Sequence, residues 1–320
     1  MNNIQTMVNP TAPPQPHWVI RSAFAVLVVL TLLTEVALAA VLLSGGSLWL
    51  AVPLVLLAGH LMHGSGVAFH EASHGHLRRS RFLNELDGVI IGVLSFMSFS
   101  LYRAAHQLHH MHLATERDEE LWPFVHPQLP RWARILAAFL ELTAGLLFLP
   151  CLFLRTFLRA GSPIRSRRVR RRIWAELVLI IVVWTGIIAA VTYWDGWHFF
   201  LWMFVGPAFL AGNLQSWRKY IEHVGMTGST VNSSTRNIVA AGWPGRVVAF
   251  TLLHEPYHGV HHLHAGLPHA ELPGRASELA PRTADELPPF RSYRHALMHL
   301  LRSLADPRVG AQWRTIARQP

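Results

Sequence analysis

Nine histidines of this chain form four groups whose spacings suit a metal site. The first group reads His-x-x-x-His, the second and fourth read His-x-x-His-His, and the third is a single histidine after a glutamate. In chain order they are His70, His74, His106, His109, His110, His223, His258, His261 and His262. Residues three or four positions apart share one face of a helix, so each group can direct its imidazoles at one point. Nine nitrogen donors exceed the needs of one metal ion and suit two.

The type of donor indicates which metals fit. Neutral imidazole binds iron, zinc, copper and nickel, whereas a zinc ion has no redox chemistry and needs only three or four ligands. The single cysteine, Cys151, lies in an apolar run, so the chain offers neither a thiolate cluster nor an internal disulfide. The sequence therefore predicts a two-metal, redox-capable centre, with iron as the favoured metal.

The composition places this centre at a membrane. Of the 320 residues, 51% are hydrophobic and only 14% are charged, which is more apolar than a soluble domain of this size. Four apolar segments, bounded mostly by tryptophans, are long enough to cross a bilayer. They run from Trp18 to Leu43, from Trp49 to His70, from Trp174 to Trp194 and from Trp197 to Trp217. The predicted fold is an all-α integral membrane protein with four transmembrane helices.

Two further apolar segments are ambiguous. Residues 89–101 are too few to span comfortably, and residues 135–158 are followed by seven arginines between Arg159 and Arg172. Because basic loops stay in the cytoplasm, we expect one or two interfacial or re-entrant helices here instead of another crossing. This topology puts all nine histidines in one cytoplasmic, histidine-rich cap, and we expect the membrane to be a bacterial inner membrane.

The rest of the chain indicates no second folded domain. Residues 1–17 are Pro-rich without a positive charge, and we expect a disordered tail there instead of a cleavable signal peptide. Residues 18–264 form the predicted membrane domain, and residues 265–320 a cytoplasmic tail with one amphipathic helix near Tyr293 to Leu304. The net charge of +10 fits membrane topology and anionic lipid headgroups, with docking of an acidic electron donor as the alternative. No nucleic-acid partner is expected.

The histidine groups resemble the three histidine boxes of the membrane fatty-acid desaturase superfamily. Residues 70–74 are similar to the first box, residues 106–110 to the second and residues 258–262 to the third. His223 is similar to the lone ligand between the second and third boxes. The resemblance covers roughly residues 70–273, and the combination of boxes is far more specific than any single box.

The resemblance implies two irons held by the nine histidines, O2 as co-substrate, and oxidation of an unactivated carbon in a lipid chain. An external ferredoxin-like or cytochrome-like electron donor is needed, because the chain has no dinucleotide-binding glycine pattern and no haem-binding segment. Polar residues beside the boxes are candidates for orienting the imidazole N–H groups, with an ordinary surface or structural role as the alternative. These are Glu71, Asp118, Glu119, Glu222, His254 and Glu255. Whether His254 contacts a metal is left open.

The reaction and the substrate have several candidates within this family. We expect first a fatty-acyl desaturase that introduces a C=C bond. A hydroxylase or ketolase of a carotenoid or other lipid is the alternative, since these reactions share the same iron ligands and differ in how the substrate carbon is placed. In the second apolar segment, His60 and His63 could line a substrate channel or pair with a backbone carbonyl.

Two functions outside this family are minority alternatives. Residues 70–74 and 254–258 both fit the zinc-protease pattern His-Glu-x-x-His, but an intramembrane metalloprotease leaves both His-x-x-His-His boxes without a role. A metal transporter would need polar residues inside several spans, whereas the third predicted span is almost wholly apolar.

Overall fold

The computed structural model describes residues 18–316, so the predicted N-terminal tail, residues 1–17, lies outside the described residues. The described chain is helical, and its one extended pairing is an isolated β-bridge between Ile238 and Phe290. Its α-helices are α1 (Trp18–Arg21), α2 (Ala23–Leu43), α3 (Leu48–His74), α4 (Arg81–Leu94), α5 (Phe99–His112), α6 (Arg131–Thr143), α7 (Gly145–Leu158), α8 (Arg167–Tyr193), α9 (Trp197–Phe200), α10 (Gly206–His223), α11 (Val231–Ser234), α12 (Gly242–Thr251), α13 (His258–Leu263), α14 (Tyr293–Leu301) and α15 (Gln312–Ile316). A π-helix covers Leu201–Val205, and 3₁₀-helices cover Glu255–Tyr257 and His269–Leu279.

Three helices, α2, α3 and α8, are long and apolar enough to cross a membrane. Their outer faces carry large exposed apolar side chains, such as Val36, which is 68% exposed, and Ile181, which is 66% exposed. A lipid environment would cover such surfaces. These helices correspond to the first three predicted spans, and the prediction of an all-helical membrane fold is confirmed.

The fourth predicted span is helical but interrupted. It lies in α9, the π-helical turn and α10, none of which is among the described helices that are long and apolar enough to cross a membrane. The last turns of α10 carry Arg218, Lys219 and Glu222, all buried inside the protein. Another candidate for a fourth crossing is the pair of α4 and α5, which bend by 101° at the break between them. The number of spans therefore stays a prediction.

The ambiguous segment at residues 135–158 contains two short helices, α6 and α7. The backbone of Ala144 leaves the helical region (φ −133°, ψ 38°), and the side-chain oxygen of Asn213 accepts the N–H of Gly145 at 2.9 Å. A Cβ on Gly145 would lie 2.4 Å from the carbonyl oxygen of Gly212. The break thus allows α7 to pack closely against α10, at a place where only glycine fits.

The position of α5 is fixed by a buried carboxylate on α8. The hydroxyl of Ser98 donates to Glu176 at 2.7 Å, and the backbone N–H of Ser100 donates to the same carboxylate at 2.8 Å. Ser98 also caps α5, because its hydroxyl accepts the N–H of Leu101 at 3.2 Å. The start of the helix that carries the second histidine box is therefore tied to α8, a helix long and apolar enough to cross a membrane.

The segment after residue 264 packs on the helical body. The predicted amphipathic helix is present as α14, and its Leu300 lies in a buried apolar cluster with Tyr220 of α10 and Val309. Leu272 and Leu279 are buried against Val260 of α13. Because these contacts reach the helices that carry histidines, the predicted boundary at residue 264 stays a prediction.

Candidate metal centre

Four segments bring the histidines together at the ends of their helices. Helix α3 ends at the first box, because Gly75 takes a left-handed conformation (φ 83°) there. The second box occupies the last turns of α5, His223 is the last residue of α10, and the third box forms α13. Every one of the nine predicted histidines lies in one of two clusters.

The first cluster draws five histidines from α3, α5 and α13: His70, His74, His106, His110 and His261. Their Nε2 atoms approach one another closely. The Nε2 of His106 is 3.1 Å from that of His74 and 3.0 Å from that of His110, which is 3.1 Å from that of His261. The rings of His74 and His106 are nearly perpendicular, at 84°, so their edges meet at the centre of the cluster.

The second cluster draws four histidines from α5, α10 and α13: His109, His223, His258 and His262. The Nε2 of His258 is 2.9 Å from that of His223 and 3.0 Å from that of His262. The two clusters are adjacent, since the ring centroids of His110 and His262 are only 4.4 Å apart. Helices α5 and α13 each contribute to both clusters.

The separations between the Nε2 atoms fit metal coordination. Two nitrogens about 2.1 Å from a shared ion lie roughly 3.0 Å apart at an angle of about 90°, and roughly 3.4 Å apart in a tetrahedral arrangement. The five separations in the two clusters are 2.9–3.1 Å. The separations therefore fit ions whose neighbouring ligands lie about 90° apart better than tetrahedral ions, and imidazole nitrogen suits iron.

Burial keeps the imidazoles of the third box in the neutral form. It lowers the pKa of His258 to about 4 and lowers the pKa of His261 and His262 well below the usual value. A neutral imidazole has a free lone pair, which a metal can bind, whereas an imidazolium ion has none. The third box is thus in its ligand form at neutral pH.

Carboxylates contact the second ring nitrogen of two histidines on α5. The Nδ1 of His109 lies 2.9 and 3.0 Å from the two oxygens of Asp118, and the Nδ1 of His106 lies 2.9 Å from Glu120. An Nδ1–H that is donated outward leaves the Nε2 lone pair directed into the cluster. Asp118 therefore stands where the sequence predicts an orienting carboxylate.

Glu255 contacts both clusters. One carboxylate oxygen is 3.0 Å from the Nδ1 of His258, and the other is 3.3 Å from the Nδ1 of His70. Arg218 donates to Glu255 at 2.6 Å and to the two oxygens of Glu222 at 2.8 and 2.7 Å. Burial by itself would raise the pKa of Glu255, but His70 and Arg218 outweigh burial and hold this pKa well below its usual value. Glu255 is therefore a buried anion that joins the two halves of the site.

The other predicted carboxylates have different partners. Glu222 binds Arg218, and its nearer oxygen is 3.7 Å from the Nε2 of His258. Glu71 accepts the backbone N–H of His269 at 3.1 Å, and its other oxygen is 3.9 Å from the Nδ1 of His70. Glu71 lies close to His70 and Glu255, and Glu222 lies close to His258 and Glu255, so each of these sets of three could hold a metal ion. Glu119 instead pairs with Arg155 and Arg159.

His254 lies outside both histidine clusters of the described chain. Its backbone is left-handed (φ 58°), and it precedes a 3₁₀-helix. Its Nδ1 is 3.4 Å from the Nδ1 of His269, and burial lowers its pKa to about 4. The second His-Glu-x-x-His pattern therefore does not bring its two histidines to one point.

Sequence reasoning missed three contributors to the site. Glu120 stands in the same turn as Asp118, two residues later, so the acidic run contained this signal. Arg218 precedes Glu222 by four residues on α10, which is the spacing of a helical ion pair. The carbonyl of Ser234, 3.2 Å from the Nδ1 of His223, is a main-chain group that no sequence pattern could indicate.

An apolar cavity of about 270 Å³ lies beside the first cluster. Helices α3, α5, α7 and α10 supply most of its wall, including Phe69, Leu149 and Phe153. Two of its lining residues contact His106, because Glu120 binds the Nδ1 of that histidine and the ring of Tyr102 stacks on it at 5.3 Å. The cavity is thus separated from the imidazole of His106 by the side chains of Tyr102 and Glu120.

Comparison with known protein families agrees with this arrangement. The family described as fatty acid desaturase matches residues 47–294, which include all nine histidines. The chain belongs to the fatty acid desaturase family. Its members are oxidoreductases that act on lipids at membranes and use iron, so the resemblance seen in the histidine boxes is confirmed, and the two clusters could bind metal. No individual curated protein matches the chain.

Proposed function

We propose that this desaturase-family protein is an O2-dependent di-iron oxidase of a lipid chain, and first of all a fatty-acyl desaturase that forms a C=C bond. The observation that carries the proposal is the pair of adjacent clusters, with five and four imidazoles, beside an apolar cavity. A hydroxylase or ketolase of a carotenoid or another lipid is the second candidate, because polar side chains also line that cavity.

The nine histidines would hold the two irons, which when bound supply the capacity to activate O2. Asp118 and Glu120 orient ligands of α5, and Glu255 orients His258. The apolar wall excludes water and holds a hydrocarbon chain in a fixed position beside the first cluster. The identity of the carbon that is oxidised would then depend on how far the chain enters the cavity.

Electrons would come from a separate ferredoxin-like or cytochrome-like protein. The clusters would face the cytoplasm of a bacterial cell, with the protein in the inner membrane. This orientation is supported by the arginines between Arg159 and Arg172, since α8 begins at Arg167 and then runs into its apolar part.

The alternatives outside this family have less support. A zinc hydrolase would use three or four ligands and leave most of the nine clustered histidines unexplained. A transporter needs polar groups along a path through the membrane, whereas the described histidine clusters gather at helix ends.

The deciding experiment measures the metal content per chain, by elemental analysis of detergent-purified protein from iron-supplemented cells. We expect close to two irons, O2 uptake with a chemical reductant, and an altered lipid profile in the expressing cells. One tightly bound zinc with no iron, together with an unchanged lipid profile, would contradict the proposal. The lipid measurement is needed because zinc can displace iron during overexpression.

A further inference from the structure

The wall of the cavity is not uniformly apolar. Its lining includes neutral polar side chains from three helices: Tyr102 on α5, Gln215 on α10 and His63 on α3. Each has hydrogen-bonding capacity that the described chain does not use. Since an unpaired polar group costs free energy when it is removed from water, such a set indicates a ligand.

Tyr102 is the member nearest to the metal site. Its ring lies parallel to that of His106, at an interplanar angle of 6°, and packs between Phe69 and Phe153 at centroid distances of 4.7 and 5.3 Å. These contacts fix the direction of the phenol. The hydroxyl forms no hydrogen bond with any described residue, although Tyr102 is only 7% exposed. It is therefore a fixed donor one helical turn from a ligand of the first cluster.

Gln215 presents its amide in a defined orientation. Its side-chain oxygen accepts from the Nε of Arg218 at 3.4 Å, which leaves the NH₂ group without a partner among the described residues. The amide lies against α3 at Gly66, where a Cβ would be 3.4 Å from the same oxygen. His63 precedes Gly66 by three residues on that helix, and its buried Nε2 has no partner. By contrast, the nearby His60 is bonded to Thr251 at 2.8 Å.

The two cations of the cavity wall already have counterions. Arg218 is paired with Glu222 and Glu255, and Lys219 is paired with Glu141. Neither cation is free to bind the carboxylate or phosphate of a lipid head. Tyr102, Gln215 and His63, by contrast, are neutral, and neutral donors and acceptors suit an uncharged oxygen.

We propose that Tyr102 and Gln215, together with His63, form a polar subsite for a hydroxyl or carbonyl oxygen of the lipid substrate. This inference rests on the proposed function and narrows its substrate class. The lipid carries an uncharged oxygen near the carbon that faces the first cluster. A plain saturated hydrocarbon chain would leave the polar side chains of the cavity wall without a hydrogen-bond partner.

The test is a binding measurement on the full-length, detergent-purified protein. The probes are tritiated octadecane and a series of octadecanols whose hydroxyl group is moved along the chain. We expect at least one octadecanol to bind more tightly than octadecane. Tyr102→Phe removes only the hydroxyl and should reduce that preference roughly two- to tenfold, the range for one hydrogen bond, while octadecane binding stays unchanged.

Tyr293→Phe is the matched control, because the Tyr293 hydroxyl is also buried without a partner but does not line the cavity. Gln215→Met provides an independent test, and it decides the matter if Tyr102→Phe does not fold. The subsite is refuted if no octadecanol binds better than octadecane, or if the folded cavity variants keep the full preference. Binding needs no turnover, so a failure of the oxidase proposal would appear separately, in the iron content.

Discussion

We expect Asp118→Asn to weaken the binding of one metal ion of the centre and to leave the binding of the other unchanged. Asp118 is completely buried, and both its oxygens are in use. One oxygen accepts from the Nδ1 of His109 at 3.0 Å and from the N–H groups of Glu120 and Leu121 at 3.2 and 3.3 Å. The other lies 2.9 Å from both the Nδ1 of His109 and the backbone nitrogen of Ala114.

The size of the effect follows from these contacts. Asparagine keeps one oxygen, which can serve the first set of donors, but its NH₂ group then faces the N–H of Ala114. The substitution removes a charge-assisted hydrogen bond to His109, which contributes roughly 1.5–3 kcal/mol. Loss of such an outer partner weakens metal binding about 10- to 100-fold, and this corresponds to roughly 1.4–2.7 kcal/mol. Because His109 belongs to the second cluster alone, the first cluster should keep its ion.

The assay is the iron content per chain during titration with a chelator. Glu119→Gln is the matched control, since Glu119 is the neighbouring buried carboxylate but pairs with Arg155 and Arg159 instead of an imidazole. We expect Asp118→Asn to release one of two irons at about 10- to 100-fold less chelator than the control. Thermal unfolding in excess chelator reports any loss of folding stability separately. If the variant retains both irons like the control, or loses both together, the assignment of His109 to a separate metal ion is wrong.

Three further predictions concern the ligands, the packing and the topology. His110→Ala should abolish activity and reduce the bound iron, whereas membrane insertion, measured by cell fractionation, should not change. Full activity of this variant would show that His110 is not a metal ligand. Gly64→Ala should destabilise the protein by roughly 1–3 kcal/mol, because its Cβ would lie 2.4 Å from a backbone carbonyl of α12. In the control Gly186→Ala, the new Cβ meets no atom within 4 Å, so this variant should unfold at or slightly above the wild-type temperature. Ser166→Cys is made in a Cys151→Ser background, because Cys151 is itself exposed. The new cysteine should react with a thiol reagent only after the inner membrane is opened. Labelling from the periplasm would reverse the proposed orientation.

The sequence predicted the long spans well, because a run such as 23–43 has only one way to satisfy its backbone in lipid. It was less informative where helices meet. The break at Ala144 depends on Asn213 reaching Gly145 from a distant helix, and this contact has no local signal. The inward charges of α10 are tolerated because each has a counterion from α10 itself or from another segment, which a hydropathy pattern cannot show.

The same distinction applies to the site. Box spacing placed each ligand on a helix face, and all nine histidines do converge. Spacing could not sort them, however: His109 and His110 are adjacent in sequence but belong to different clusters, because successive positions on a helix point about 100° apart. Position beside a histidine box was a partial guide to orienting partners, since Glu255 reaches two histidines whereas Glu71 accepts a backbone N–H.

The division of donors among the segments has a consequence for biogenesis. Neither cluster can exist in a single segment, because each needs side chains from three helices, and α5 and α13 serve both. Loading with metal must therefore follow insertion and helix assembly, and each bound ion would then cross-link parts of the chain that are far apart in sequence. In the newly inserted, metal-free protein, proteases should cleave at α13. Protection of this helix from cleavage would then report that metal has been bound.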